Sequence, residues 1–505
     1  MDGFDRREFL ERVGRLTVAA GTLGAVPGRA GWLPANAQDR RLRELARELD
    51  GSVVAPGSAA YPKARLLVNT RFDRVRPRAI VFCETVQDVE RTVRWARKYG
   101  IHIVARGGGH SYGGYSTTSG VVVDLSRMSR IRVDAARKVA VVGAGARLID
   151  VYSALWRHGL TIPAGSCPTV GIAGLTLGGG VGYSSRKLGL TCDNLRRLHL
   201  VTASGAAIVC DANEHADLFW ASRGGGGGNF GIATDFSFRA RTVGDVSTYS
   251  IEWPWAEAVE AVRAWQAFAP HAPDGLFSVC DLLATDRSTP NARAHVVSGG
   301  QFFGSEQELR SLIQPLVDTG TPIRVNTATM SYMNAVLKWA GCSGSVDACH
   351  LSPRGTLGRE TFKGASDYVA RPLQPPAVAT LVHRIELLQE TLGRGAVLMD
   401  AYGGAINRVH KGATAFVHRK ALFSCQYVAS WNPGENAGPH LNWVRRTRTA
   451  MRPYVSGFAY QNYIDPDVVD WKRAYYGSNC RRLGVIKRRY DPENVFRFGQ
   501  SIPPH

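Results

Sequence analysis

The chain has 505 residues, of which 44% are apolar, and a formal net charge of +20. That length exceeds what one hydrophobic core serves, so two or more domains are expected. The charge comes without a long lysine block or an aromatic-rich basic repeat, and its densest cluster is Arg481-Arg482 with Lys487-Arg488-Arg489. This argues against a nucleic-acid partner and for a solvated basic surface able to draw acidic substrates.

Residues 1–37 read as a targeting segment. Arg6-Arg7 within Asp5-Arg6-Arg7-Glu8-Phe9-Leu10 has the form of a twin-arginine export signal, with a weakly apolar stretch from Leu16 to Val26 and an Ala-x-Ala pattern at Ala35-Asn36-Ala37. The apolar run is too short and too broken by glycine for a stable membrane span. A periplasmic or secreted protein, exported folded by the twin-arginine machinery, is the expectation.

Residues 38–245 alternate short apolar runs with amphipathic helices. Ala79 to Cys83 reads as a strand, Thr85 to Tyr99 as a helix capped by Thr85, and Ile101 to Ala105 as a strand leading into a glycine-rich loop. Val121 to Leu125 and Val139 to Val142 continue the strands, and a helix is expected from Arg147 to His158. Residues 246–450 differ: strand-like Thr248 to Trp253, Ala294 to Ser298 and Ala396 to Tyr402 alternate with longer helices at Trp255 to Ala269 and Ser305 to Thr319. The pattern predicts a substrate domain with an antiparallel sheet flanked by helices, so the fold class is α+β with two domains. Residues 451–505 are set apart as a C-terminal segment rich in tyrosine motifs.

Two loops carry the chemistry. The first is Arg106-Gly107-Gly108-Gly109-His110-Ser111-Tyr112-Gly113-Gly114-Tyr115-Ser116, and the second is Gly165-Ser166-Cys167-Pro168-Thr169-Val170-Gly171-Ile172-Ala173-Gly174. Glycines let consecutive amides converge on phosphate oxygens while His110 or Cys167 faces a ligand ring, which points to a flavin dinucleotide. Gly143-Ala144-Gly145 invites a nicotinamide-binding reading, but Leu148 stands where that fingerprint needs a third glycine. The nine cysteines form no C-x-x-C pair and no His/Cys metal spacing, so no metal is expected.

Together these loops closely resemble the doubly tethered berberine-bridge-enzyme-like oxidases of the vanillyl-alcohol-oxidase superfamily. The likeness continues through Gly178-Gly179-Gly180-Val181-Gly182, Arg223 to Gly228 with Asn229-Phe230-Gly231-Ile232, and the tail motif Tyr460-Gln461-Asn462-Tyr463-Ile464-Asp465, and it covers roughly residues 65 to 503. It implies a two-domain FAD-binding fold of the PCMH type, with the tail returning to the FAD domain. It also implies FAD bonded at its 8α carbon to His110 and at C6 to Cys167. The implied cofactor-binding set is completed by Arg106, Gly107, Gly108, Gly109, Ser111, Tyr112, Gly113, Gly114, Ser116, Val170, Gly171, Gly174, Gly179, Gly180, Gly182, Asn229, Gly231, Ile232 and Asn462. Val170 occupies the position that controls oxygen access in similar enzymes, and valine there leaves room. If Cys167 is tied to flavin, eight cysteines remain, and whether Cys342 pairs with Cys349 is left open by sequence.

Oxidising an alcohol needs a base for the hydroxyl proton, and Tyr460 and Tyr463 are the candidates, with Asp465 or Arg408 as groups that could tune a phenol. Plant relatives place a glutamate after the paired glycines of a strand, whereas Gly403-Gly404-Ala405-Ile406-Asn407-Arg408 offers no acid, so alkaloid ring closure is not expected. His418 and Arg419 read as structural. The resulting expectation is an oxidase acting on a small alcohol or carbohydrate with O2 as acceptor. The alternatives are a dehydrogenase passing electrons to a quinone or other acceptor, and a flavin-bearing carbohydrate-binding protein with little turnover.

Overall fold

The computed structural model describes residues 40–342 and 344–505. The twin-arginine segment and its Ala-x-Ala pattern lie outside the described residues.

Two small sheets build the first half. Strands Ser52–Val54, Ala79–Phe82, Val121–Asp124 and Ile103–Arg106 lie in that order, the last three parallel. Their crossover is the helix Val86–Lys98, started by a reciprocal capping box in which Thr85 accepts from the Asp88 amide and Asp88 accepts from the Thr85 amide. The second sheet is antiparallel, in the order Ile131–Asp134, Val139–Gly143, Ile232–Arg239, Leu195–Val201 and Ala207–Asp211. Val139–Gly143 therefore runs antiparallel to its neighbours, which excludes the parallel βαβ unit that a dinucleotide fingerprint at Gly143-Ala144-Gly145 would need. Gly145 is required for packing instead: a Cβ there would lie 1.9 Å from the Leu125 carbonyl oxygen.

Seven antiparallel strands drawn from residues 245–430 form the third sheet, in the order Arg324–Ser331, Asp245–Trp253, His295–Phe302, Leu276–Ala284, Gly395–Ala401, Phe423–Ser430 and Phe362–Val369. One face carries Trp265, Leu309, Ile313, Leu381, Ile385 and Trp443 from four helices, packed on Ile251, Leu282, Met399 and Tyr427 from the strands. The other face turns Phe277 and Val279 into the core of the first half. The helix expected over Trp255 to Ala269 is a 3-10 turn at Trp255–Glu257, an α-helix at Ala258–Phe268 and a further 3-10 turn at Ala269–His271. Pro270 has no N–H to continue the α-helical ladder, which accounts for the change at that end.

The tail does not form a unit of its own. Tyr460, Ile464, Tyr475, Leu483, Phe496 and Ile502 lie in the same core as the residues of the two small sheets. Among the described residues no helix is long and apolar enough to cross a membrane, and no group of three or more His, Cys, Asp or Glu side chains is placed to hold a metal ion. Cys342 and Cys349 form a disulfide, the question the sequence left open.

Candidate active site

The two glycine loops meet back to back. A Cβ on Gly108 would lie 2.2 Å from the Gly171 nitrogen, and one on Gly171 would lie 2.3 Å from the Gly108 nitrogen, so only glycine permits this approach. The helix Leu148–Trp156 fixes the second loop from behind: the Leu148 and Ile149 amides donate to the Val170 and Pro168 carbonyls at 3.0 and 3.1 Å, and Arg147 Nη1 donates to the Thr169 carbonyl at 3.3 Å. Two orphan donors of the helix N-terminus and one guanidinium are thus spent on three successive carbonyls. His110 and Cys167 then lie on the wall of one cavity of about 930 Å3. This is near the upper end of the range for ligand pockets, about 300–1,000 Å3.

That wall fits a dinucleotide. Gly108, Gly109, His110 and Ser111 all line it, and among the described residues none of their four backbone N–H groups has an acceptor. Consecutive unpaired amides in a glycine loop make an anion-binding concavity. His110 is half-buried, its Nε2 lies 2.9 Å from Thr169 Oγ1, and its pKa is pushed down to about 3 by desolvation first and by the Arg147 cation second. The imidazole is therefore neutral and carries a lone pair. Cys167 is exposed on the same wall, with half-buried Val170 beside it in sequence.

An aromatic group closes the far side. Tyr112 stacks on Tyr463 at 5.2 Å between ring centres, meets Phe362 edge-on at 4.9 Å and accepts a hydrogen bond from Gln426 Nε2 at 2.8 Å. Tyr463 in turn meets Tyr460 edge-on at 5.0 Å. The Tyr460 hydroxyl accepts from the Gly180 amide at 2.8 Å and from Asn462 Nδ2 at 2.9 Å, the latter nitrogen also donating to the Leu175 carbonyl. Burial holds the Tyr460 hydroxyl well above the usual phenol range, and these two donors pull the other way. Two donors aimed at one phenolic oxygen are what a phenolate requires.

The cavity brings together most of the residues singled out by sequence: Gly107, Gly108, Gly109, His110, Ser111, Tyr112, Ser116, Cys167, Val170, Gly171, Gly174, Gly231, Ile232, Tyr460, Asn462 and Tyr463. Seven others stand behind it. Arg106 is buried against Asp124 and donates to the Ala64 carbonyl, so its guanidinium braces the loop from outside. Gly113 and Gly114 turn the chain against Tyr115 and Phe72, and Gly179, Gly180 and Gly182 make room for Phe416, Thr191 and the Ala164 carbonyl. Asn229 donates to the Gly225 carbonyl and accepts from the Ile502 amide, tying the tail to the first half. Neither proposed tuning group reaches the tyrosines: the Asp465 carboxylate pairs with Lys363, and Arg408 pairs with Asp274 at 2.5 Å on the surface. His418 Nε2 donates to the Tyr475 carbonyl at 3.0 Å, and Arg419 pairs with Asp193.

Sequence reasoning missed the wall supplied by the other half of the chain, including Trp339, Glu360, Phe362, Gln426, Val428 and Ser430. Ser424, Gln426, Val428 and Ser430 alternate along Phe423–Ser430 with Phe423, Cys425, Tyr427 and Ala429, which enter the helix-side core. The alternation was a readable signal of a polar working face.

Fold and cavity define a two-domain FAD-binding oxidoreductase, a class that comparison with known proteins makes specific. The FAD binding domain model matches residues 77–211, and the berberine and berberine-like model matches residues 459–503. An uncharacterized FAD-linked oxidoreductase of Bacillus subtilis, YgaK, is 38% identical over 463 residues, covering 90% of this chain and 98% of that one. Among solved structures, BBE-like 1 of Physcomitrella patens superimposes with a TM-score of 0.84 at 35% identity over 92% of this chain and 99% of its own. A chitooligosaccharide oxidase gives 0.82 at 27% identity over 92% and 100%. The chain belongs to the berberine bridge enzyme-like family of FAD-linked oxidoreductases.

Proposed function

We propose that this oxidoreductase is an oxidase for an alcohol, either a sugar hemiacetal or a hydroxyl of a glycosylated metabolite, with FAD bonded to both His110 and Cys167. The observation that carries the reading is the convergence of those two side chains on one cavity wall, forced by the Gly108–Gly171 contact. When bound, FAD supplies the acceptor for hydride from the carbinol carbon and returns the electrons to O2 as hydrogen peroxide. His110, Cys167 and the unpaired amides of the first loop would hold the cofactor. Tyr460 would take the hydroxyl proton at its Oη, assisted by the Gly180 and Asn462 donors. Tyr463 and Tyr112, stacked on each other, would bound the place where substrate lies.

Two further points support the reading. The likeness to chitooligosaccharide oxidase favours a carbohydrate over an alkaloid, as does the lack of an acid in Gly403 to Arg408. Val170 on the cavity wall favours oxygen as the acceptor over a quinone. Export in folded form by the twin-arginine route belongs to the same proposal and rests on the sequence of residues 1–37.

The test is acid precipitation of purified protein, followed by its visible spectrum and intact mass. Flavin retained at one FAD mass per chain, and released only when His110 and Cys167 are both replaced, is the expected result. A panel of mono- and oligosaccharides would then be screened for peroxide release. Yellow colour passing wholly into the supernatant would sink the double tether, and flavin reduction without peroxide would point to a different electron acceptor.

A further inference from the structure

Glu360 stands on the cavity wall, and no step proposed above uses it. Its backbone is held firmly. The amide donates to the Val68 carbonyl at 3.1 Å and the carbonyl accepts from the Thr70 amide at 2.9 Å, which makes a parallel bridge between Asn69 and Glu360. The side chain therefore starts from a fixed point. Glu360 is exposed, yet protein surrounds it closely enough for desolvation to raise its pKa. The two observations agree because the surface left open faces the cavity rather than bulk water.

Among the described residues the Glu360 carboxylate has no hydrogen-bond or ion-pair partner, and no cation offsets the desolvation. Every basic side chain near it in the chain is committed elsewhere. Arg359 donates to the Leu67 carbonyl at 2.7 Å and pairs with Asp73, Lys363 pairs with Asp465 and Asp467, and Arg71 donates to the Phe362 carbonyl at 3.2 Å. A carboxylate drawn out of water without a partner is costly, and a cation arriving beside it offsets that cost. Pyrophosphate would be repelled, so Glu360 belongs to the part of the cavity left to the substrate. Tyr112, Phe362, Tyr463 and Trp339 line the same cavity, and aromatic rings attract cations to their negative faces.

We propose that Glu360 makes this cavity selective for a substrate bearing a primary ammonium group, an amino sugar or a short oligomer of one, whose N–H groups donate to the carboxylate. This rests on the reading that the substrate is a carbohydrate, and narrows it. A neutral sugar of the same shape places a hydroxyl there and leaves the charge of Glu360 uncompensated. The net charge of +20 repels an ammonium ligand at long range. The choice is therefore made at contact, where salt screens an enclosed pair little.

Calorimetry on the flavin-loaded enzyme tests this with two ligands blocked at the anomeric carbon, so that hemiacetal oxidation does not intervene: methyl β-cellobioside and its 2,2′-diamino analogue. The diamino ligand should bind about tenfold tighter or more, the scale of hydrogen bonds to a charged group. In Glu360→Gln, which keeps the shape and removes the charge, most of that ratio should disappear. Equal affinity of the two ligands for the native enzyme would overturn the inference without recourse to any variant. So would a ratio that persists in Glu360→Gln while its visible flavin spectrum shows an intact cofactor site. Failure of both glycosides to bind would instead strike the carbohydrate reading. Benzylammonium against benzyl alcohol, a cation and a neutral alcohol without the sugar, would then decide the ammonium site: a preference for the cation that Glu360→Gln abolishes sustains it, and no preference sinks it.

Discussion

Tyr460, proposed to take the substrate proton, is buried, yet its hydroxyl meets two donors on the cavity wall. Tyr460→Phe should lower kcat by about 10²–10⁴, the usual contribution of a positioned acid–base group. The variant should keep its visible flavin spectrum, and stopped-flow reduction under anaerobic conditions would show whether the loss lies in the hydride step. Val170→Leu should slow reoxidation of the reduced enzyme by O2 while leaving reduction by substrate unchanged. A second histidine supplies a pH test. Burial pushes His418 down to about 3 from an ordinary 6.5, so the unfolded chain binds more protons between those values. The stability it contributes is therefore complete above about 6.5 and is lost as pH falls towards about 3. The advantage in Tm of the native protein over His418→Asn should shrink steadily as pH is lowered through that window. At this scale His110 and Cys167 were legible because each is a reactive side chain in a loop with no bulky competitor. The seven residues that stand behind the wall were not separable from the rest. A glycine that admits a phosphate and one that admits Phe416 obey the same rule, and only the packing around them tells them apart.

Elements were legible where a local cause sets them. The capping box at Thr85 and Asp88 and that at Ser305 and Glu308 start helices where expected, at Val86 and Glu306. Strand order was not legible, because the seven-stranded sheet pairs Phe362–Val369 with Phe423–Ser430 and Gly395–Ala401 with Leu276–Ala284, contacts far apart in sequence. One short helix, Ser185–Leu188, joins the halves through a single side chain. Arg186, fully buried, donates to the carbonyls of Pro270 at 3.0 Å and Leu276 at 2.8 Å, and also to those of Ala272 and Tyr402. Arg186→Met should leave these acceptors unpaired and cost about 3 kcal/mol or more in denaturant unfolding, at the charged-group end of hydrogen-bond energetics. Arg186→Lys cannot reach four carbonyls at once and should recover only part of the loss.

The largest scale shows how the cavity depends on the whole chain. Its wall takes His110 and Cys167 from the first half, Gln426 and Phe362 from the seven-stranded sheet, and Tyr460 and Asn462 from the tail. The segment 340–358 contributes Ala340, Gly341, Leu351 and Leu357 to that wall, and the disulfide Cys342–Cys349 lies within it. Removing this bond by Cys342→Ser with Cys349→Ser should lower stability by about 2–2.5 kcal/mol on chain-entropy grounds. A thermal melt against the native protein would measure this. The pairing lay beyond the sequence because spacing alone does not show that two sulfurs face each other.

The return of the tail sets an order of events during synthesis. Ile502 donates its amide to Asn229 Oδ1, and Lys487, buried, donates to the carbonyls of Asn229 and Phe496, so the core around the flavin cavity is finished only once residues 487–502 have been made. A ribosome bearing this chain cannot release a cofactor-ready domain early, however soon the glycine loops emerge. The cofactor must await the tail, and a nascent chain cut short anywhere before it would leave the ribosome with a half-walled cavity and exposed apolar surface. Truncation ahead of Lys487 would therefore be as damaging as truncation in the middle of the chain.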